Sequence, residues 1–253
     1  MLASAPSMAP HAPAAEVAVG TAADGEQALR RALDGAGFAT APLAGRVALA
    51  VAPGVRAELV AGLRSAAEHA GAAGVDVVAG QGADLVDVDA GPLGRVAVPR
   101  AWHDADLRIL VAHNRAHRRW LYLGALSTAL RPVHAPARLP VSVPIACRAV
   151  LEALPVAFAV TDAWQSRDRS GARDTRAVLA GHDPFAVDWL AGEKMDLDPS
   201  LNPIVREGLL RRGRVRLVRR GNLTPWEPWR NATPLGAVIA DALGGKETLW
   251  TTR

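Results

Sequence analysis

The chain has 253 residues, of which 50% are hydrophobic and 21% charged, a composition typical of a globular protein. Its one cysteine, Cys147, excludes an internal disulfide and supplies too few thiolates for an iron–sulfur cluster, so we expect no such cluster. A net charge of +4 is too small to indicate a nucleic-acid partner, and no apolar run is long enough to span a bilayer, so we predict a cytoplasmic protein without a membrane partner.

The hydrophobic pattern predicts strands that alternate with helices, after an N-terminal leader at 1–15 that we expect to be disordered. In chain order, the predicted elements are a strand at 16–20, a helix that Asp24 caps, a strand at 46–52, a helix at 55–70, strands at 75–79, 95–99 and 107–112, a buried helix at 118–130, a helix at 145–153, and strands at 156–162, 176–181 and 214–220. Three further helices begin at Asp183-Pro184, Asn202-Pro203 and Thr233-Pro234, because each pair offers a capping side chain followed by proline at the first helical position.

This alternation predicts an α/β fold: a twisted, mainly parallel sheet with helices on both faces. We expect residues 16–253 to form one domain. The Pro-rich segment 132–144 is the place where two lobes would join, although its short length favours a single unit. The six arginines of residues 211–221 are interpreted as a charged edge strand, which resists aggregation, rather than as a nucleic-acid surface.

Three segments carry a resemblance to a known family. Residues 183–188 are DPFAVD, within the longer matching stretch 176–213; residues 160–164 are VTDAW, and residues 105–117 are ADLRILVAHNRAH. These segments resemble the family catalogued as domain of unknown function 362, some of whose members carry iron–sulfur modules. The chain is similar to a divergent member without the cluster cysteines: Arg115 stands where the family has lysine, and Ser127-Thr128 where it has Lys-Asn.

The two carboxylates of the DPFAVD motif allow structural and functional interpretations. Asp183 directly precedes a proline, which favours a helix cap. Asp188 lies in the first turns of the same predicted helix, where a carboxylate stabilises the positive helix end by about 0.3–1 kcal/mol. If Asp188 instead faces a cleft, it is a candidate metal ligand or general base.

Asp162 closes the apolar strand predicted at 156–162. Ligands of open parallel sheets bind outside the carboxyl ends of the strands, so this position suits a general base or a metal ligand. The alternative is a turn-forming aspartate that hydrogen-bonds its own backbone.

Basic side chains follow the strand at 107–112; they are His113, Arg115, His117, Arg118 and Arg119. His113 and His117, four residues apart, would share one face of a helix and could bind a metal together. The arginines argue for an anion instead, since a guanidinium repels a metal cation and suits a carboxylate or phosphate. A solvated basic loop is the alternative.

We therefore expect an enzyme of unknown reaction that acts on a small anionic metabolite at the carboxyl ends of strands 107–112, 156–162 and 176–181. The candidate catalytic residues are Asp162, Asp188 and His117; the candidate binding residues are Arg115, Arg118 and His113. A divalent metal is compatible with this site but not required. The alternative hypothesis is a degenerate, non-catalytic homologue that acts as a binding or assembly partner, which the missing family lysine and asparagine favour.

Overall fold

The computed structural model describes residues 14–38, 42–78, 84–117, 119–134, 139–168, 170–212, 216–226 and 229. The strands in this part of the chain are β1 (Ala14–Thr21), β2 (Arg46–Val51), β3 (Gly74–Val78), β4 (Leu85–Asp89), β5 (Arg95–Pro99), β6 (Leu107–His117), β7 (Leu121–Leu123), β8 (Phe158–Asp168), β9 (Gly171–Asp174), β10 (Ala177–Gly181) and β11 (Arg216–Gly221). The helices are α1 (Gly25–Gly35), α2 (Ala57–His69), α3 (Arg100–His103), α4 (Ala125–Thr128), α5 (Val143–Ala153), α6 (Pro184–Lys194) and α7 (Pro203–Arg212).

Nine of the described strands form one sheet, whose main path runs β11-β1-β10-β8-β6-β2-β3. Along this path every strand runs in the same direction except β10, which is antiparallel to both β1 and β8. Strands β7 and β9 pair antiparallel with β6 and β8, and β4 pairs with β5 in a separate ribbon. The predicted α/β class with a mainly parallel sheet is confirmed.

Each face of the sheet is covered by its own apolar layer. Side chains alternate between the faces along a strand, so in β6 Ile109 and Val111 pack with α1 and α2, whereas Leu110 and Ala112 pack with α4 to α7. Both faces of the central strands are therefore buried, which explains why their sequences are apolar without interruption. No helix in the described part of the chain is both long enough and apolar enough to cross a membrane.

Three predicted helix starts are confirmed by their capping bonds. Asp24 accepts a hydrogen bond from the Glu26 amide at 2.8 Å and begins α1. Asp183 accepts from the Phe185 amide at 2.9 Å and begins α6. Asn202 accepts from the Ile204 amide at 2.9 Å and precedes α7. The fourth predicted start, at Thr233-Pro234, lies outside the described residues.

The buried helix predicted at 118–130 is wrong. Strand β6 continues to His117, and the chain turns back as β7 before forming the single turn of α4. The sequence here is apolar on all sides, a pattern that a short buried strand produces as readily as a buried helix. Leu121 takes a positive φ of 62°, which an uninterrupted helix would not allow.

Several strand limits differ from the prediction. Strand β1 begins at Ala14, so the last two residues of the predicted leader belong to the sheet; residues 1–13 lie outside the described part. Strands β6 and β8 extend five and six residues beyond their apolar cores, into polar residues. Strand β11 lies at the end of the sheet path, as predicted for a charged edge strand.

Candidate functional site

The carboxyl ends of β2, β6 and β8 lie side by side at one edge of the sheet, called here the carboxyl edge. From β2 the chain crosses through α2 on one face to β3, whereas from β6 it crosses through α4 and α5 on the other face to β8. The two connections leave β2 and β6 in opposite directions. In open α/β sheets such a reversal opens a crevice where ligands bind.

The predicted site also included the carboxyl end of the strand at 176–181, and this part of the prediction is wrong. Strand β10 is antiparallel to β8, with Val178 opposite Asp162 and Gly181 opposite Ala159. Its carboxyl end therefore reaches the other edge of the sheet. His182, which follows β10, packs its ring against Phe158 at the start of β8, with ring centroids 4.9 Å apart.

Asp162 forms a buried ion pair with Arg56, the residue before α2. The Arg56 Nε lies 3.0 Å from Asp162 Oδ2 and its Nη2 lies 3.1 Å from Oδ1. The carboxylate also accepts hydrogen bonds from the backbone amides of Arg56, at 3.0 Å, and Trp164, at 3.1 Å. The Arg56 guanidinium lies over the Trp164 ring at 4.8 Å. Four N–H groups thus donate hydrogen bonds to the Asp162 carboxylate, which leaves it poorly suited to act as a base or metal ligand.

His113 lies in β6 directly opposite Asp162 in β8. Its ring packs on Gly54, where a Cβ atom would lie 3.0 Å from His113 Cδ2; Gly54 has a φ of +91°, which favours glycine. Burial lowers the pKa of His113; Asp162 opposes this shift, and Arg115 and Arg56 add to it. His113 is therefore neutral near pH 7, and its buried Nδ1 has no hydrogen-bond partner. An unpaired buried nitrogen is uncommon and marks His113 as a candidate ligand contact.

Arg115 and His117 also lie within β6, so the expected helical turn carrying the histidines is absent from this segment. The pairing of β6 with β8 shifts register here, since His113 lies opposite Asp162 whereas Arg115 lies opposite Arg167. Both side chains are half-buried, and burial lowers the pKa of Arg115, although a guanidinium stays charged. Arg118 lies outside the described residues.

The ring of His117 is held from one side by the turn that follows it. Its Nδ1 accepts hydrogen bonds from the backbone amides of Arg119, at 3.3 Å, and Trp120, at 3.2 Å. Burial, together with the charges of Arg115 and Arg119, lowers its pKa to about 4. His117 is thus neutral near pH 7 with its proton on Nε2, so it can donate a hydrogen bond but cannot act as a base through that nitrogen.

Asp188 lies in α6, beside the end of β7, and Tyr122 of β7 donates its hydroxyl hydrogen bond to the Asp188 carbonyl at 2.9 Å. Its carboxylate accepts hydrogen bonds from the backbone amides of Ala125, at 2.6 Å, and Leu126, at 3.0 Å, and so caps α4. A Cβ atom at Gly124 would overlap Asp188 Oδ1. Burial raises the pKa of Asp188 to about 7 against the effect of these two bonds. Asp188 is thus bound to the first turn of α4, and its expected convergence with His117 and Asp162 stays a prediction.

Sequence reasoning missed Arg56, Trp164 and Arg131. Arg131 follows α4 and donates from Nε to the carbonyl of Val51, the last residue of β2, at 3.3 Å. The position of Arg56, in the loop between a strand and a helix, was a usable signal because such loops form the ligand sites of α/β sheets. Within the described ranges, no three or more His, Cys, Asp or Glu side chains are grouped so as to hold a metal ion.

Comparisons with known proteins add little. No protein-family model and no curated protein matches the chain. Among solved structures, the chain is similar to the lactate racemase apoprotein from Thermoanaerobacterium thermosaccharolyticum, with a TM-score of 0.42 and 14% identity over 67% of this chain. The matched part spans about half, 54%, of that protein. The resemblance to domain of unknown function 362 stays a prediction.

Proposed function

We propose that the carboxyl edge binds a small anionic metabolite through its carboxylate or phosphate group, with Arg115 as the main contact. The observation that carries this proposal is that Arg115 lies in β6 two residues from both His113 and His117, at the carboxyl edge, with all three side chains half-buried. A fixed positive charge between two neutral imidazoles offers an anion Coulomb attraction and hydrogen-bond donors together. Arg131 adds a second guanidinium near the end of β2.

His117 is assigned the role of a neutral donor. Because two backbone amides fix its Nδ1 as an acceptor, the N–H of Nε2 is the group left for a ligand oxygen. A neutral donor of this kind recognises the anion without adding charge. Binding through His117 therefore does not require acid pH, unlike binding by an imidazolium.

If the protein is an enzyme, His113 is the side chain at this edge that is best placed to transfer a proton. Arg56 and two backbone amides occupy Asp162, and the free nitrogen of His117 carries a proton, whereas His113 retains an unpaired Nδ1. His113 is thus the candidate for proton transfer at this edge. The fully bonded state of Asp162 favours the second candidate function, a binding protein without catalysis.

The test is thermal unfolding of the full chain with inorganic phosphate and with malonate, against sodium chloride at matched ionic strength. At a hundredfold excess over Kd, we expect about 2.7 kcal/mol of stabilisation, seen as a Tm rise of several degrees. Arg115→Ala should remove most of this rise. Arg95→Ala, which removes an arginine whose side chain is 77% exposed on β5, is the matched control and should keep it. A Tm rise with sodium chloride equal to that with phosphate or malonate would refute the anion site. An equal Tm rise in Arg115→Ala and Arg95→Ala would also refute it.

The two functions separate in a second experiment. A panel of small carboxylates and phosphate esters is incubated with the protein and followed by proton NMR, for the wild type and for His113→Gln. Turnover that His113→Gln abolishes, with anion binding retained, supports the enzyme. Binding without turnover of any compound in the panel favours the binding protein.

A further inference from the structure

We propose that the anion bound at the carboxyl edge also carries a hydroxyl group, several bonds away from its charged group, which hydrogen-bonds to His113. This inference rests on the proposed function, because it takes the charged group to be bound by Arg115 and His117. It identifies the ligand as a hydroxylated phosphate or carboxylate, of the chemical class that includes polyol and sugar phosphates.

The basic side chains of β6 share one face of the sheet; they are His113, Arg115 and His117. The residues between them belong to the other face, where Ala112 and Ala116 pack in the α4–α7 layer and Asn114 donates from Nδ2 to Met195 Sδ at 3.6 Å. Successive side chains of a strand point to opposite faces, so the three basic residues face the side of α1 and α2.

The spacing along β6 sets the length of the ligand. A strand rises about 3.3 Å per residue, so the backbone of His113 lies about 7 Å from that of Arg115 and about 13 Å from that of His117. A molecule whose charged group is bound at Arg115 and His117 therefore reaches His113 only with a group several bonds farther along its chain.

The ring of His113 offers hydrogen-bonding groups that the described part of the chain does not use. Its Nδ1 is buried without a partner, which is uncommon for a buried nitrogen. The ring is half-buried and lies against Gly54, where a Cβ atom would lie 3.4 Å from Nε2. Because Gly54 has no side chain, this edge of the ring stays uncovered, and Nε2 is the nitrogen that a ligand can reach.

The groups beside His113 carry no net charge. Asp162 lies directly opposite His113 in β8, and Arg56 pairs with Asp162 through Nε at 3.0 Å, so their charges cancel. Burial lowers the pKa of His113, which is therefore neutral near pH 7. With the charge of Arg115 met by the first anionic group, a second anionic group gains no Coulomb attraction here, whereas a neutral polar group still forms its hydrogen bond.

Among neutral polar groups, a hydroxyl fits both forms of the His113 ring. A neutral imidazole has one nitrogen that donates and one that accepts, and a hydroxyl can do either, so it pairs with Nε2 whichever nitrogen carries the proton. A carbonyl or ether oxygen would require the proton on Nε2. An ammonium group would be repelled by Arg115.

Isothermal titration of the full chain with three phosphate esters of equal chain length tests the proposal. The probes are propyl phosphate, glycerol 3-phosphate and the phosphate ester of 3-hydroxypropionate, which offer no polar group, hydroxyl groups or a carboxylate beyond the phosphate. We expect glycerol 3-phosphate to bind at least about tenfold more tightly than propyl phosphate, which corresponds to about 1.4 kcal/mol. The carboxylate ester should bind no more tightly than propyl phosphate.

The outcomes distinguish this inference from the proposed function. If propyl phosphate binds and glycerol 3-phosphate binds equally, the hydroxyl contact is refuted and the anion site stands. Tighter binding of the carboxylate ester than of propyl phosphate would overturn the choice of a neutral group. If neither inorganic phosphate nor any of the three esters binds, the anion site itself fails, and this inference fails with it.

His113→Phe assigns the preference to His113, because it keeps a ring and removes both nitrogens. Propyl phosphate and glycerol 3-phosphate should then bind with equal Kd. His69→Phe makes the same substitution at an exposed histidine of α2 and should keep the wild-type ratio of the two Kd values. If His113→Phe does not fold, His113→Leu takes its place. A folded His113 variant that keeps the wild-type ratio would overturn the contact.

Discussion

Arg56 and Asp162 form an ion pair that connects the two strands on either side of β6. Arg56 follows β2 and Asp162 lies in β8, and neither strand touches the other because β6 separates them. Asp162 is 1% exposed and the Arg56 side chain 22% exposed, so solvent screens this pair only weakly. The pair therefore fixes the spacing of the strands that bound the crevice and holds Arg56 beside His113.

Removal of one partner of this pair should destabilise the fold strongly. We expect Asp162→Ala to lower the free energy of unfolding by about 3–5 kcal/mol, because it leaves a partly buried guanidinium without its carboxylate. Urea unfolding of both single variants and the double variant Arg56→Ala/Asp162→Ala gives the coupling energy, which we expect to exceed about 1.5 kcal/mol.

The exposed pair Arg30–Glu26, with side chains 72% and 69% exposed, is the control, and its coupling should not exceed about 0.5 kcal/mol. A coupling for Arg56 and Asp162 as small as this would contradict the structural role of the pair.

His117 should make the protein less stable in acid. Its pKa is lowered to about 4 in the folded chain and is near 6.5 in an unfolded one, so the unfolded state binds the proton first. The contribution of His117 to the free energy of unfolding is fully present above about pH 6.5 and is lost as the pH falls towards 4. It amounts to at most about 3.5 kcal/mol, since each tenfold difference in proton affinity between the two states corresponds to about 1.4 kcal/mol.

His117→Asn, which keeps an acceptor for the two amides but does not titrate, should show a flatter stability curve between pH 7 and 4. Urea unfolding at closely spaced pH values measures both proteins. Parallel curves for the two would contradict a depressed pKa at His117.

Asp188 should contribute to stability rather than to anion binding. Asp188→Ala leaves the amides of Ala125 and Leu126 without an acceptor, and we expect a loss of about 2 kcal/mol or more. Gly124→Ala should also destabilise, because its Cβ would overlap Asp188 Oδ1. Phosphate titration should give the wild-type Kd for both variants; a weakened Kd would restore Asp188 to the binding site.

The stability that the Asp188 carboxyl contributes should change with pH in the direction opposite to that of His117. Its folded-state pKa is raised to about 7, so its favourable contribution is present below about pH 3.9 and is lost as the pH rises towards 7. Asp188→Asn should remove this dependence of stability on pH, because an amide does not titrate. Unfolding measured at pH 4, 5.5 and 7 should show a smaller decline with rising pH in the variant than in the wild type.

Lys194 should make the protein more stable in alkaline solution. Its side chain is 2% exposed, and Nζ donates to the carbonyls of Asn222 and Thr224. Burial lowers its pKa to about 8, below the ordinary value near 10.4, so the unfolded state binds more protons between these values. Stability should therefore rise from pH 8 to pH 10 in the wild type.

Lys194→Met retains the apolar stem and removes the amine. Its stability should not rise over this range, and urea unfolding at pH 7.5 and pH 10 compares it with the wild type. A rise of equal size in both proteins would assign the effect to other groups.

The elements that were predicted correctly depend on local chemistry. The starts of α6 and α7 follow from one side chain and the amide two residues later, and β2 and β10 follow from unbroken apolar runs. The same logic failed at 118–130, because an apolar run does not distinguish a buried helix from a hairpin whose turn requires Leu121 at positive φ.

The site could be predicted only in part, because its partners are distant in sequence. Arg115 and the histidines were found, since they follow an obvious buried strand. The donors that occupy Asp162 include Arg56, which is 106 residues away, and those of Asp188 lie 63 and 62 residues away. No local pattern distinguishes a carboxylate that such contacts saturate from one that is free to react.

The reversed direction of β10 means that α6 carries the chain back across the sheet. The chain enters α6 at the edge opposite the carboxyl edge, and Met195, directly after α6, lies with its Sδ 3.6 Å from Nδ2 of Asn114 in β6. The layer of α6 and α7 is tied to the rest of the fold by the Asp188 cap and by the Asn202 amide, which donates to the Tyr122 carbonyl at 3.0 Å. A library that varies the residues of α7 but keeps Asp188, Met195 and Asn202 should therefore retain the contacts of this layer with α4, β6 and β7.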